Sequence, residues 1–164
     1  MEYCRDSVQV KLPNSLARHL GEALRKAGSR EIGGILMGEH LSANTFLIRD
    51  LTVQRQGGTL ASFVRIAQSI VGFVKRFFQE TGHDYVRFNY LGEWHSHPSF
   101  TPKPSATDCE TMWSIVEDSE VGANFAVLVI LRLSENDILE GTASVFLPPR
   151  RILAGTLMFE EAQA

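Results

Sequence analysis

Two histidines one residue apart, followed by an acid eleven positions on, are the pattern in this chain with the clearest chemical use. They stand in Gly92-Glu93-Trp94-His95-Ser96-His97-Pro98 and, after a proline-rich stretch, Ser105-Ala106-Thr107-Asp108. On a strand, alternate side chains leave the same face, so the imidazoles of His95 and His97 project together. Their Cα atoms are then roughly 6.6 Å apart at about 3.3 Å rise per residue. Ring nitrogens so placed can converge on one ion at about 2.0–2.1 Å. Asp108, expected in the first turn of the next helix, can supply a third donor. Two imidazoles and a carboxylate suit Zn²⁺, and three protein ligands leave the fourth position open, as catalytic sites do.

Each piece also has a simpler use. A His-x-His pair at a strand edge can be two ordinary polar positions. Ser105-x-x-Asp108 resembles a capping box, although Asp is shorter than the usual Glu or Gln. The two uses of that pair are compatible, because a cap holds the rotamer that a metal ligand needs. His19 on a helix surface, and His40 and His83 beside turns, have no partner at ligand spacing. Cys109 is turned about 100° from Asp108 around a helix and points elsewhere.

The elements that must position these residues follow from periodicity. Val8–Leu12 alternates as a strand, broken by Pro13; Asn14 or Ser15 can then cap a helix with Leu16, Leu20, Ala23, Leu24 and Ala27 on one face and Gly28 as its stop. Glu31–Gly38 reads as a buried strand whose Gly33-Gly34 pair admits a close neighbour. Thr45–Val53 is a further strand, and Gly57-Gly58 a turn. From Phe63, an apolar stripe through Ile66, Ala67, Ile70, Phe73, Val74 and Phe77 makes the longest helix, ending near Gly82; core packing explains it. Phe88–His97 is a strand, with Trp94 turned to the core, and Ser105 to about Ser119 a helix. Phe125–Leu133 is apolar enough for a central strand, with Ile138–Leu147 as its neighbour across a turn. Pro148-Pro149 ends that strand, and the tail from Arg150 is open between strand and helix. The expected class is mixed α/β, a central sheet with helices on both faces.

A chain of 164 residues suits one domain and can bury a sizeable core. The net charge of −3 supplies no basic field for nucleic acid. No apolar run reaches the roughly 18 residues of a membrane span, and the acidic start lacks a leader's apolar stretch. Two cysteines make no disulfide framework; Cys4 and Cys109 read as free thiols in a reducing cytoplasm.

His-Ser-His-Pro, six further residues and then Ser-x-x-Asp resembles the JAMM motif of the JAB/MPN metallopeptidases. Glu31-Ile32-Gly33-Gly34-Ile35-Leu36-Met37-Gly38 stands where that family carries an upstream acid. The resemblance covers roughly residues 8–147, with the whole of 1–164 read as one such domain. It implies a cytidine-deaminase-like sandwich, a zinc ion held by His95, His97 and Asp108, and hydrolysis of peptide or isopeptide bonds. By position, Glu31 would be the general base, and Ser105 would orient the water or stabilise the oxyanion. Glu93 is a rival to Glu31, because it shares the histidine face of a regular strand; its other reading is a partner that fixes an imidazole tautomer.

The resemblance further implies a substrate with an extended tail. Candidates are a ubiquitin-like protein, or a CD-NTase cyclase conjugated by E1- and E2-like enzymes in a CBASS antiphage operon. Other readings are a sulfur-carrier processing peptidase and a non-catalytic MPN scaffold. A nucleobase deaminase lacks its His-x-Glu and Pro-Cys-x-x-Cys signatures here.

Overall fold

The computed structural model describes residues 7–54 and 60–160, apart from the side chains of 60–69. The elements run β1 (Val8–Pro13), α1 (Asn14–Ala27), β2 (Gly33–Ser42), β3 (Thr45–Leu51), α2 (Leu60–Glu80), β4 (Phe88–Ser96), α3 (Ala106–Glu117), β5 (Ala126–Leu133), β6 (Leu139–Leu147) and β7 (Arg151–Glu160). This is the expected mixed α/β order. The Gly57-Gly58 turn, the Cys4 thiol and the Phe63, Ile66 and Ala67 part of the stripe fall outside the described features.

The strands do not form an open layer. They close in the order β1-β3-β2-β4-β5-β6-β7, and β7 returns to β1 in parallel, Val8 against Gly155 through Pro13 against Glu160. The expected sandwich is therefore a closed seven-stranded barrel carrying helices on both faces. The open tail is the strand that closes it. Antiparallel pairing of β7 with β6 follows the short Pro148-Pro149-Arg150 turn, and pairing with β1 removes both edges of the sheet.

Alternation along β5 explains its continuous apolar run. Val127, Val129 and Leu131 join Leu36, Leu91, Trp94 and the buried face of α1, namely Leu20, Ala23, Leu24 and Ala27. Ala126, Leu128 and Ile130 face the other way, under Met112 and Val116 of α3. On that second face, Ile35 and Met37 of β2 pack beneath Phe77 of α2. Trp94 is wholly buried, as expected, and its indole Nε1 donates to the Thr52 carbonyl oxygen at 2.8 Å.

Two boundaries differ from expectation. Pro13, not Asn14 or Ser15, stands at the N-cap of α1, and no side chain caps the helix. The proline's φ of −61° already suits a helix, so the chain passes from β1 into α1 without a capping turn. β2 begins two residues after Glu31 and runs on to Ser42, because both β3 and β4 pair along it.

β4 is seated against β5 by Gly92, whose φ is 155° beside a bulge in the β2–β4 ladder. A Cβ there would lie 1.8 Å from the Val127 carbonyl oxygen. Gly92→Ala is expected to lower stability by at least about 3 kcal/mol, through backbone strain and overpacking together. Gly72→Ala, in the exposed interior of α2 where a Cβ meets no atom of the described residues, is expected to raise it by roughly 0.5–1 kcal/mol. Denaturant midpoints of the two variants check both signs.

Candidate metal centre

On the outer face α2 and α3 pack in separate apolar clusters, and the Glu93–His95 end of β4 belongs to neither. Glu93 pairs with Ile35 on one side and Leu128 on the other, and His95 with Gly33 and Ile130. The apolar partners belong to the packing of α2 and α3, so the polar face of β4 emerges between two small cores. Gly33 makes room for the imidazole: a Cβ there would lie 2.6 Å from the Trp94 carbonyl oxygen and 3.0 Å from His95 Cδ2. His97 follows the end of β4, its amide donating to the Leu131 carbonyl at 2.9 Å.

Asp108 reaches this face from the first turn of α3. The capping box is present in full: the Asp108 amide donates to Ser105 Oγ at 3.1 Å, and the Ser105 amide donates to Asp108 Oδ2 at 2.8 Å. The same carboxylate spans both imidazoles, with Oδ1 3.1 Å from His95 Nδ1 and Oδ2 3.3 Å from His97 Nε2. Capping and gathering of the histidines are thus done by one side chain. His95 Nε2 lies 3.3 Å from Glu93 Oε2, and His97 Nδ1 lies 3.3 Å from the Thr101 carbonyl oxygen.

Each imidazole therefore stands between two acceptors. A neutral imidazole brings one N–H, so neutral rings leave two of these four contacts without a hydrogen. Burial alone would lower the pKa of His95, but hydrogen bonds and charge from Asp108 and Glu93 outweigh it and raise it to about 9. Burial opposes ionisation of Asp108, yet the bonds from His95 and Ser105 hold its carboxyl well below the usual carboxylate range. As the side chains stand, the described His, Cys, Asp and Glu residues form no group of three arranged around an ion. By type and proximity, the donors fit a borderline cation such as zinc.

Of the residues singled out in the sequence, His95, His97, Asp108 and Ser105 come together. Glu93 joins them, buried and bonded to His95. Glu31 lies just ahead of β2, exposed, and makes no ion pair with another described residue. Continuing the β2–β4 register from Gly33 against His95 sets it opposite His97. His19 and His83 are exposed, and His40 stacks on Phe46 at 4.9 Å, away from the cluster. Cys109 is free and packs toward Met112. Sequence reasoning missed the Thr101 carbonyl, which carries no side-chain signal. It also passed over Ser96, although a hydroxyl on the buried face between two histidines was a cue.

The chain belongs to the prokaryotic homologues of the JAB domain, whose family model matches residues 13–142. A curated relative from Enterobacter hormaechei subsp. hoffmannii, named CD-NTase/cGAS isopeptidase, is 33% identical over 125 residues, 74% of this chain. The match spans 66% of that relative's length. A solution structure of a protein from Desulfitobacterium hafniense shares the fold at a TM-score of 0.64 and 15% identity, covering 93% of each chain. A second, from Salinibacter ruber, gives 0.51 at 18% identity over 94% of each. No described helix is long and apolar enough to cross a membrane.

Ser105→Ala is expected to remove the α3 cap at a cost of about 1 kcal/mol, with Ser105→Thr recovering most of it. Chemical denaturation of both variants checks this.

Proposed function

We propose that this chain is a zinc-dependent isopeptidase of the JAMM type. Its substrate is the C-terminal tail of a ubiquitin-like protein or of a conjugated CD-NTase cyclase in bacterial antiphage defence. The observation that carries the reading is the convergence of His95, His97 and Asp108. The name of the Enterobacter relative supports the substrate class. His95, His97 and Asp108 would hold the ion, and Glu93 and the Thr101 carbonyl fix the rings from behind. Zinc, when bound, supplies a Lewis acid that lowers the pKa of water to about 7 and polarises the scissile carbonyl.

Glu31 accepts a proton on its carboxylate as the water oxygen bonds to the carbonyl carbon. It returns that proton to the amine nitrogen as the C–N bond breaks, and the water's second proton, left on the new carboxyl group, passes to the amine, giving a carboxylate and an ammonium. Ser105 Oγ accepts from the Asp108 amide, so its own hydrogen is free to donate to the carbonyl oxygen as that oxygen gains charge. Such a donor contributes roughly 2.7–4 kcal/mol in the transition state. Glu93 and His97 are buried, which favours a flexible tail over a folded segment as the part of the substrate that reaches the cluster. E1- and E2-like enzymes would make the conjugates that this chain takes apart.

Wild type is expected to cleave a cyclase or ubiquitin-like conjugate, and Glu31→Ala to lower kcat about 10²–10⁴-fold. Equal cleavage by the two removes Glu31 as the base. Activity that survives strong chelation removes zinc.

A hundredfold excess of zinc over its Kd stabilises a folded site by about 2.7 kcal/mol, or about 5–11 °C in Tm for a domain of this size. Thermal scans of metal-stripped protein with and without zinc are expected to show that rise. His97→Ala or Asp108→Ala is expected to abolish it.

A further inference from the structure

We infer that Ser96, the residue between the two histidines, is the positioning residue that holds Glu31 at the site. The inference rests on Glu31 being the base. Ser96 is 1% exposed, and alternation along β4 turns it away from the imidazoles, so it does not face the metal donors. Its Oγ accepts from the Ile32 amide at 2.9 Å, and its own amide donates to the Ile32 carbonyl at 2.8 Å. Both backbone groups of Ile32 are therefore held by one residue, 64 positions along the chain.

The Ile32 side chain adds a third anchor. It is 4% exposed and packs in the core with α1 and Trp94. Glu31 is the next residue outward, beyond the end of β2 and free of any ion pair with another described residue. Its backbone is thus set by Ile32 while its carboxylate stays in solvent, as a group that exchanges protons with water requires. The Ser96 hydroxyl supplies the one side-chain bond in this clamp. A hydroxyl between the two histidines therefore couples the strand that presents the imidazoles to the residue that presents the base.

Ser96→Ala leaves the Ile32 amide buried without its acceptor, whereas Ser96→Thr keeps an oxygen there. Exchange of the Ile32 amide, followed by NMR on the full chain, is expected to quicken about tenfold or more in Ser96→Ala, with the β4 amides ahead of Ser96 unchanged. With the zinc-loaded enzyme, kcat is expected to fall about 10- to 100-fold, KM and zinc affinity staying within about twofold. Ser96→Thr restores both readouts. In a Glu31→Gln background, Ser96→Ala is expected to have no further effect on the residual rate.

Unchanged kcat in a folded Ser96→Ala overturns the inference, as does an equal loss of kcat and zinc affinity, which would place the action of Ser96 on the histidines. A further equal drop in the Glu31→Gln background also overturns it. Wild type that binds zinc and hydrolyses no conjugate removes the underlying reading, and the positioning role with it.

Discussion

The carboxylate of Asp108 joins two parts of the fold that backbone pairing leaves separate. It closes the first turn of α3 through Ser105 and, with the same two oxygens, touches an imidazole from β4 and one from the loop just after it. Its low proton affinity follows from that position, since every ionised-form partner is a donor or a cation. The raised pKa of His95 is the other half of the same interaction. Without this bridge, α3 would still be attached by Met112, Val116 and their apolar neighbours and by Arg150 pairing with Glu110 and Glu117, but no described contact would tie its first turn to the histidines.

Packing explains why the cluster lies where it does. α1 covers one face of the sheet over the largest core, so β4 buries Leu91 and Trp94 there and turns Glu93 and His95 outward. On the outer face, α2 packs over β2 and over Phe88 and Tyr90 of β4, and α3 over β5, while Glu93 and His95 at the other end of β4 belong to neither apolar cluster. A strand end flanked by two covered neighbours is shielded from the sides and open from above. Acidic and imidazole groups can then be largely desolvated without being sealed, which strengthens their interactions and keeps an approach for a partner.

Much of this was legible in the sequence because the signals are local. The alternation of Val8–Leu12, the helical stripe from Leu16 to Ala27 and the apolar run of β5 each report an element from a few neighbouring residues. The Ser105–Asp108 cap was legible for the same reason, being complete within one helical turn. The start of α1 was misplaced because the residue types favour capping at Asn14, while the fixed φ of Pro13 let the helix begin without it. The tail could not be assigned. Ile152, Leu153, Met158 and Phe159 remain substantially exposed on β7, so its apolar residues carry no burial period to read.

By itself, then, the sequence determined most of the elements, the spacing of His95 and His97, and the capping turn that carries Asp108. All of these depend on spacings of two to four residues. Only the tertiary structure decided that the sheet closes through β7 and β1, that Asp108 spans both imidazoles, and that Glu93 is the acid in contact with His95 while Glu31 stands apart. Those outcomes depend on register between distant strands, such as Gly33 against His95 and Val8 against Gly155. Such pairings are chosen by the burial of whole faces, and no local spacing encodes them.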